Sequence, residues 1–115
     1  MSFWRKEVID FVLDRETQTA IEEQRAWITR EPANPKPYYH LAQLYRVAFR
    51  SGEALGLLLE VVRLDPNFAD AHAALAEMYV LLADYPSAWR HARLAEANGI
   101  SRAVEMLTRH GVAPT

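Results

Sequence analysis

The sequence predicts an all-α protein, an α-solenoid of stacked antiparallel helix pairs with about seven helices. Two observations indicate this fold. Apolar residues recur at the three- to four-residue spacing of a helix, and no segment alternates apolar and polar residues as a half-buried strand does. The second observation is an internal repeat, because the landmark residues that begin at Tyr38 return 34 residues later, from His72 onward.

The two copies share an aromatic residue or histidine, a leucine, a small residue, a tyrosine and an alanine in the same order. These landmarks are Tyr38, Leu41, Ala42, Tyr45, Ala54, Leu58 and Pro66 in the first copy, and His72, Leu75, Ala76, Tyr79, Ala88 and Ala92 in the second. The pattern resembles the tetratricopeptide repeat (TPR) of small bacterial-type proteins, with Ile100 in place of the second closing proline. The resemblance implies a degenerate helical hairpin over residues 1–34, TPR repeats over 35–68 and 69–100, and a capping helix with a tail over 101–115.

The N-terminal hairpin is the least regular part of this pattern. Neither glycine nor proline occurs before Pro32, so its break is assigned to Thr19 and Glu22, which have the spacing of a capping box. We therefore expect one helix over about Ser2 to Asp14 and a second over about Ala20 to Arg30. The hairpin lies one period before the first full copy, and it is interpreted as a degenerate first repeat.

Capping residues mark the remaining helices. Asn34 is a preferred cap and is followed by a proline, which suits the first helical position. Asn67 and Ser101 are candidate caps further along the chain, and Gly99 favours the left-handed conformation that ends a helix. The predicted helices cover about Pro35 to Phe49, Glu53 to Leu64, Phe68 to Ala83, Ser87 to Asn98 and Arg102 to His110.

Composition argues against several functional classes. The net charge is −2, the pI is about 6.1 and no stretch concentrates lysine and arginine, so nucleic acid is not an expected partner. The chain has no cysteine and no glycine-rich phosphate loop. Its histidines, none of which pair at i, i+4, are His40, His72, His91 and His110. We therefore expect a non-enzymatic protein with no cofactor, no metal and no catalytic residues.

The N-terminus has no apolar run of the length that a signal peptide needs. The longest apolar runs stop after six residues, at Glu60 and Asp84, well short of the ~20 that a membrane span requires. We expect a cytoplasmic protein without a membrane span. Phe3 and Trp4, which precede two basic residues, are interpreted either as a peripheral contact with a membrane or a complex, or as a cover for the open end of the first hairpin.

The TPR resemblance also implies a concave groove, lined by the first helix of each repeat, that receives a partner. The residues that it places there are Tyr39, Gln43, Arg46 and Val47 from one repeat and Ala73, Glu77, Val80 and Leu81 from the next, with Ile9, Val12 and Leu13 added by the hairpin. Because this surface is largely apolar, we expect a partner protein to supply an amphipathic or apolar segment. The alternative is that the chain's own last helix or tail fills the groove.

These expectations describe a protein-interaction module that acts as an adaptor or assembly factor. The alternative is a permanent structural or accessory subunit of a larger complex, including a membrane-associated one. A homodimer contact is a further hypothesis, because Gly52 and Gly56 share a helix face with Leu59 and form a flat patch. An interior glycine costs about 1 kcal/mol relative to alanine, so the other interpretations are a local tolerance or an intramolecular contact.

Overall fold

The structure is a computed structural model that describes residues 2–114, with side chains described over 14–114. That part of the chain contains α-helices and no strand, which confirms the all-α prediction. Each helix packs against its neighbour in the chain, as in an α-solenoid. The six helices are α1 (Ser2–Arg30), α2 (Pro35–Val47), α3 (Ser51–Leu64), α4 (Ala69–Leu81), α5 (Tyr85–Ala97) and α6 (Arg102–Arg109).

The helix count is six instead of about seven because α1 is one continuous helix, and the predicted break at Thr19 is wrong. A capping box requires its first residue to leave helical geometry. The segment contains no glycine or proline, which would disfavour a continuous helix. A break would therefore lose backbone hydrogen bonds without a compensating gain in free energy. The C-terminal half of α1 packs on α2 and buries Ile21, with Ile28 partly buried beside the same core.

The paired helices approach each other through alanines. Ala42 of α2 and Ala54 of α3 are fully buried in one core cluster, and Ala76 of α4 and Ala88 of α5 are fully buried in another. Small side chains at these places leave room for the facing helix, and the larger Leu58 and Leu75 fill the space around the first pair. Both pairs lie where the repeat pattern predicts contact between the helices of a hairpin.

Two of the three predicted N-caps, Asn34 and Ser101, occupy the N-cap position, and Asn67 does not, because the N-cap of α4 is Phe68. The Asn34 side chain accepts a hydrogen bond from the N–H two residues later at 3.0 Å, so it caps α2 as predicted. Asn67 is not the cap of α4, because the Asp65 carboxylate accepts its N–H at 3.0 Å and so closes a turn before the helix. Ser101 is the N-cap residue of α6 as predicted, but its hydroxyl donates to the Glu105 carboxylate at 3.0 Å instead of binding the backbone.

The turns within the two hairpins have the same backbone geometry. In each, an N–H after the helix donates to a carbonyl five residues earlier, at 2.8 Å in the first turn and 2.9 Å in the second. This motif places one residue in the left-handed region, and that residue is Phe49 (φ 60°) in the first turn and Ala83 (φ 57°) in the second. Gly99, the residue type that such a position favours, ends α5 with φ 99° as predicted.

The last helix closes one end of the stack. α6 packs against both α5 and α4, and its Ala103 and Leu107 are buried in the second core cluster. Trp89 and Ala92 of α5 line the other side of that cluster. No helix in the described part of the chain is long and apolar enough to cross a lipid bilayer.

Candidate functional site

The predicted groove residues of α2 and α4 fall into a polar centre, a covered part and an exposed part. In the polar centre, Gln43 Nε2 donates to the Tyr39 hydroxyl at 3.4 Å, and the Tyr39 ring packs 5.1 Å from that of Phe68. Burial, followed by the negative charge of Asp70, raises the pKa of the Tyr39 hydroxyl above its usual value. Tyr39 therefore keeps its proton, and its hydrogen bond with Gln43 joins two neutral side chains of α2.

A chain of ion pairs crosses the centre of the groove. Arg46 of α2 lies 3.1 Å from Glu77 of α4, and Glu77 is also 3.4 Å from Arg102 of α6. Arg102 reaches a second carboxylate, that of Asp70, at 3.3 Å. Partly exposed pairs contribute only about 0.2–1 kcal/mol each, but this network joins three helices and fixes α6 against α4.

The covered part of the groove lies beneath α6. Ala73 is fully buried and Val80 is partly buried, in the same cluster as Ala103 and Leu107 of α6. In this structure Ala73 is therefore buried in a cluster that includes residues of the chain's own last helix. The alternative that the groove is filled from within thus applies to two of the predicted residues, to Ala73 and in part to Val80.

The exposed part lies at the C-terminal ends of α2 and α4. Val47 is 71% exposed and Leu81 is 82% exposed, and the two residues occupy equivalent places 34 residues apart. Exposed apolar side chains that stand singly are common on proteins, whereas a cluster of them marks an interaction surface.

A pocket of about 460 Å³ adjoins this exposed end, and its walls are mainly apolar. Its lining includes two of the predicted site residues, Arg46 and Leu81. Phe49 and Leu82, which are 94% and 61% exposed, also line it and were not among them. The remaining lining residues are Ser51, Gly52, Leu55 and Met78. We call this the turn-edge pocket, since it lies between the turn after α2 and the C-terminal end of α4.

Sequence reasoning missed Phe49 and Leu82 because both were assigned to helix ends instead of to the turn region. The signal that identifies Phe49 is its place directly before Arg50-Ser51-Gly52, in the loop between two paired helices. A large apolar residue has no partner to bury against in such a loop within its own hairpin.

Two other surfaces were predicted from the sequence, one near the N-terminus and one on α3. Phe3, Trp4, Ile9, Val12 and Leu13 lie outside the residues whose side chains are described. A Cβ added at Gly52 or Gly56 would meet no atom within 4 Å, so no intramolecular contact among the described residues requires glycine there. The homodimer through Gly52, Gly56 and Leu59, the last of which is 41% exposed, stays a prediction.

The structure also brings together two histidines that no sequence spacing linked. His72 Nε2 lies 2.7 Å from the Pro66 carbonyl oxygen, which only accepts hydrogen bonds, so Nε2 carries a proton. The other nitrogen of the His72 ring, Nδ1, shares a hydrogen bond with His91 Nδ1 at 3.0 Å. The other ring nitrogen of His91 is buried without a hydrogen-bond partner. Burial, followed by the proximity of His72 and Arg90, lowers the pKa of His91 to about 4.

This pair packs α4 against α5. The described residues contain no group of three or more histidine, aspartate, glutamate or cysteine side chains placed to hold a metal ion. The His91 ring stacks on Tyr79 with its centroid 5.6 Å away and its plane tilted by 10°. The pair therefore joins the two helices of the second hairpin.

Comparison with known proteins points to the same repeat. The chain is 38% identical over 64 residues to TPR repeat-containing thioredoxin TTL4 of Arabidopsis thaliana. The match covers 56% of this chain and 9% of that protein, and this chain contains no cysteine. No family model matches the chain. Together with the all-helical fold, the similarity fits a TPR-like protein, and it suggests a protein-interaction module with protein partners.

Proposed function

We propose that the chain is an adaptor or assembly factor that binds an apolar or amphipathic segment of another protein in the exposed half of the groove. The observation that carries this proposal is the exposure of Val47 and Leu81 at equivalent places of two successive repeats. Apolar anchors provide most of the affinity in such complexes, and flanking polar residues such as Arg46 and Glu77 set the orientation.

The proposed binding surface is smaller than the one expected from the sequence. Because Ala73 is covered by α6 and Val80 is partly covered, the partner contacts Val47 and Leu81 together with the edges of Gln43 and Arg46. Gln43, Arg46 and Val47 line one shallow depression, and Arg46 also lines the turn-edge pocket together with Leu81.

The experiment is a binding comparison of the native chain with Val47→Asp and Leu81→Glu, first by pull-down from a native extract and then against the purified partner. We expect either substitution to weaken binding by at least about 2 kcal/mol, because it places a charge in an apolar contact. The thermal midpoint should stay within a few degrees, because both side chains are exposed in the free protein.

Leu94→Glu is the matched control, since Leu94 is a 40% exposed leucine on α5, away from the groove. Binding that is lost equally in all three variants, or in none, would contradict the proposal. Unfolding of the Val47→Asp or Leu81→Glu variant would place those side chains in the core and move the binding surface elsewhere.

The second candidate function is a permanent subunit of a larger complex, and the observation in its favour is that Phe49 and Leu82 are also exposed. A permanent subunit keeps such surface covered, whereas an adaptor leaves it free between binding events. Purification distinguishes the two: the adaptor stays monodisperse alone, and the subunit associates or precipitates without its complex.

A further inference from the structure

The turn-edge pocket is built around a residue that the fold itself does not favour. Phe49 has a φ of 60°, and a bulky residue in the left-handed region is a rare exception because its Cβ crowds the following carbonyl oxygen. The equivalent residue of the next turn, 34 positions later, is Ala83 with φ 57°. The same backbone is therefore formed with a methyl group, and the turn does not require an aromatic ring.

Phe49 gains no compensating burial inside the chain. Its side chain is 94% exposed, the highest value among the large apolar residues whose side chains are described. A strained residue that its surroundings do not bury is an indication of function. The ring instead forms one wall of the turn-edge pocket, opposite Leu81 and Leu82.

The charges beside the pocket are already paired. Arg46 is bound to Glu77, and Arg50 forms an ion pair with Glu53 and lies over the Tyr45 ring. The rim thus has no unpaired arginine to select a charged ligand. Complementarity with a mainly apolar wall requires large uncharged side chains from the occupant.

The backbone of the pocket argues for a helical occupant. A peptide that binds by strand addition needs a sheet edge, and the described part of the chain has no strand. Most backbone groups around the pocket are bonded within α2, α3 and α4 and cannot serve an extended peptide. An amphipathic helix satisfies its own backbone and presents apolar side chains one turn apart.

The size of the surface distinguishes a partner helix from a second copy of this chain. Val47, Phe49, Leu81 and Leu82 together expose apolar surface on the order of 500 Å², the size of one interaction patch. A stable dimer buries about 800 Å² per partner. These four side chains alone match a short helix with two anchoring residues, and a dimer would need further surface around them.

We propose that the turn-edge pocket docks an amphipathic helix of a partner protein, with one large uncharged side chain between Phe49 and Leu82 and a second on Leu81. This inference rests on the proposed function and names the chemistry of the partner segment. Phe49 is the specificity residue, because it alone gives the first hairpin turn an aromatic wall. Binding is driven by apolar contact, so its affinity changes little with salt.

The test uses the full chain and a set of Ala/Glu/Lys peptides of about 18 residues, long enough to form a helix on binding. Each carries two residues chosen from leucine, phenylalanine, methionine and tryptophan one helical turn apart. A control peptide has the same composition with the two residues on opposite faces. Affinities are measured by fluorescence anisotropy, and stability by thermal unfolding.

Phe49→Gly is the decisive variant, because it should change affinity and stability in opposite directions. It should weaken binding of the best peptide by at least about tenfold and raise the thermal midpoint, since glycine accepts the left-handed conformation. Ala83→Gly is its matched control at the equivalent backbone position. It should raise the midpoint as well and leave the affinity unchanged. Leu82→Glu should also weaken binding at least about tenfold.

The other outcomes overturn the inference in distinguishable ways. If Val47→Asp abolishes peptide binding and Phe49→Gly does not, the groove function stands and the pocket is not the docking site. If no peptide binds the wild type in preference to its control, an amphipathic helix is not the ligand. If the wild type sediments as a dimer that Phe49→Gly dissociates, the occupant is a second copy.

Discussion

Acidification should destabilise this protein through one buried side chain, His91. The ordinary pKa of histidine is 6.5, and burial together with the proximity of His72 and Arg90 lowers the pKa of His91 to about 4 in the folded chain. A proton added to its buried nitrogen Nε2 would find no acceptor, because that atom has no hydrogen-bond partner. The folded state therefore keeps His91 neutral at a pH where the unfolded chain protonates it.

The direction and size of the effect follow from proton linkage. Below pH 6.5 the unfolded chain binds more protons than the folded chain, so stability is fully present above that pH and falls as the pH approaches 4. Between pH 7.5 and 4.5 the loss amounts to about 2–3 kcal/mol. For a chain of this length that corresponds to a fall of about 10 °C in the thermal midpoint.

The assay is thermal or urea unfolding of the wild type and His91→Phe across that pH range. Phenylalanine keeps a ring to stack on Tyr79, whose centroid is 5.6 Å from that of His91, and removes the base. The variant loses the hydrogen bond with His72, which costs roughly 1–3 kcal/mol at neutral pH. Its stability should then vary much less with pH than that of the wild type.

His110→Gln is the control. His110 is exposed at the end of α6, so this substitution should leave the slope of stability against pH as in the wild type. The range stops at pH 4.5 because hydrogen bonds from Arg63 and Ser87 lower the pKa of Glu60 and Asp84 below their ordinary values. Those carboxylates lose their charge at lower pH. A His91→Phe variant with the full wild-type slope would refute the assignment to His91.

Two smaller predictions concern packing and association. Ala76→Leu should lower the free energy of unfolding by about 1–3 kcal/mol, because Ala76 is fully buried where α4 meets α5, whereas Ala33→Leu in the exposed linker should lower it little. Equal losses for the two variants in chemical denaturation would refute the helix contact. Gly56→Leu should change sedimentation more than stability, because a Cβ there enters open space; a wild type that stays monomeric at high concentration would leave the predicted homodimer without support.

The repeat and its helix pairs were predictable because their causes are local and periodic. Asn34 caps the helix that follows it, and buried alanines such as Ala42 and Ala76 recur at places where two helices must approach closely. The continuity of α1 was not predictable from the Thr19 capping-box spacing, since the same residues are compatible with a helix interior. Such a short motif predicts a break only when a continuous helix is also unfavourable in free energy for the flanking segments.

The burial of Ala73 was not predicted, for a different reason. Ala73 has the spacing of a groove residue, and its burial depends on the docking of α6, which lies about 30 residues later in the chain. Arg102 helps to fix that docking through Glu77 and Asp70, and a single charged residue in a short helix gives no signal of its partners. Phe49 was missed because left-handed backbone is assigned to glycine by default.

The position of the open apolar surface follows from the central place of α4. This helix packs against α3, α5 and α6, and all its residues over 71–76 are buried, which explains why it is mainly apolar. Its contacts end before Leu81 and Leu82, which are 82% and 61% exposed. Since Ala73 is buried in the same cluster as residues of α6, the proposed partner has access to the end where the hairpin turns lie. Val47 and Phe49 are exposed at that same end, and Phe49 lines the turn-edge pocket. The exposed apolar residues of α2 and α4 are therefore concentrated at one end of the helices.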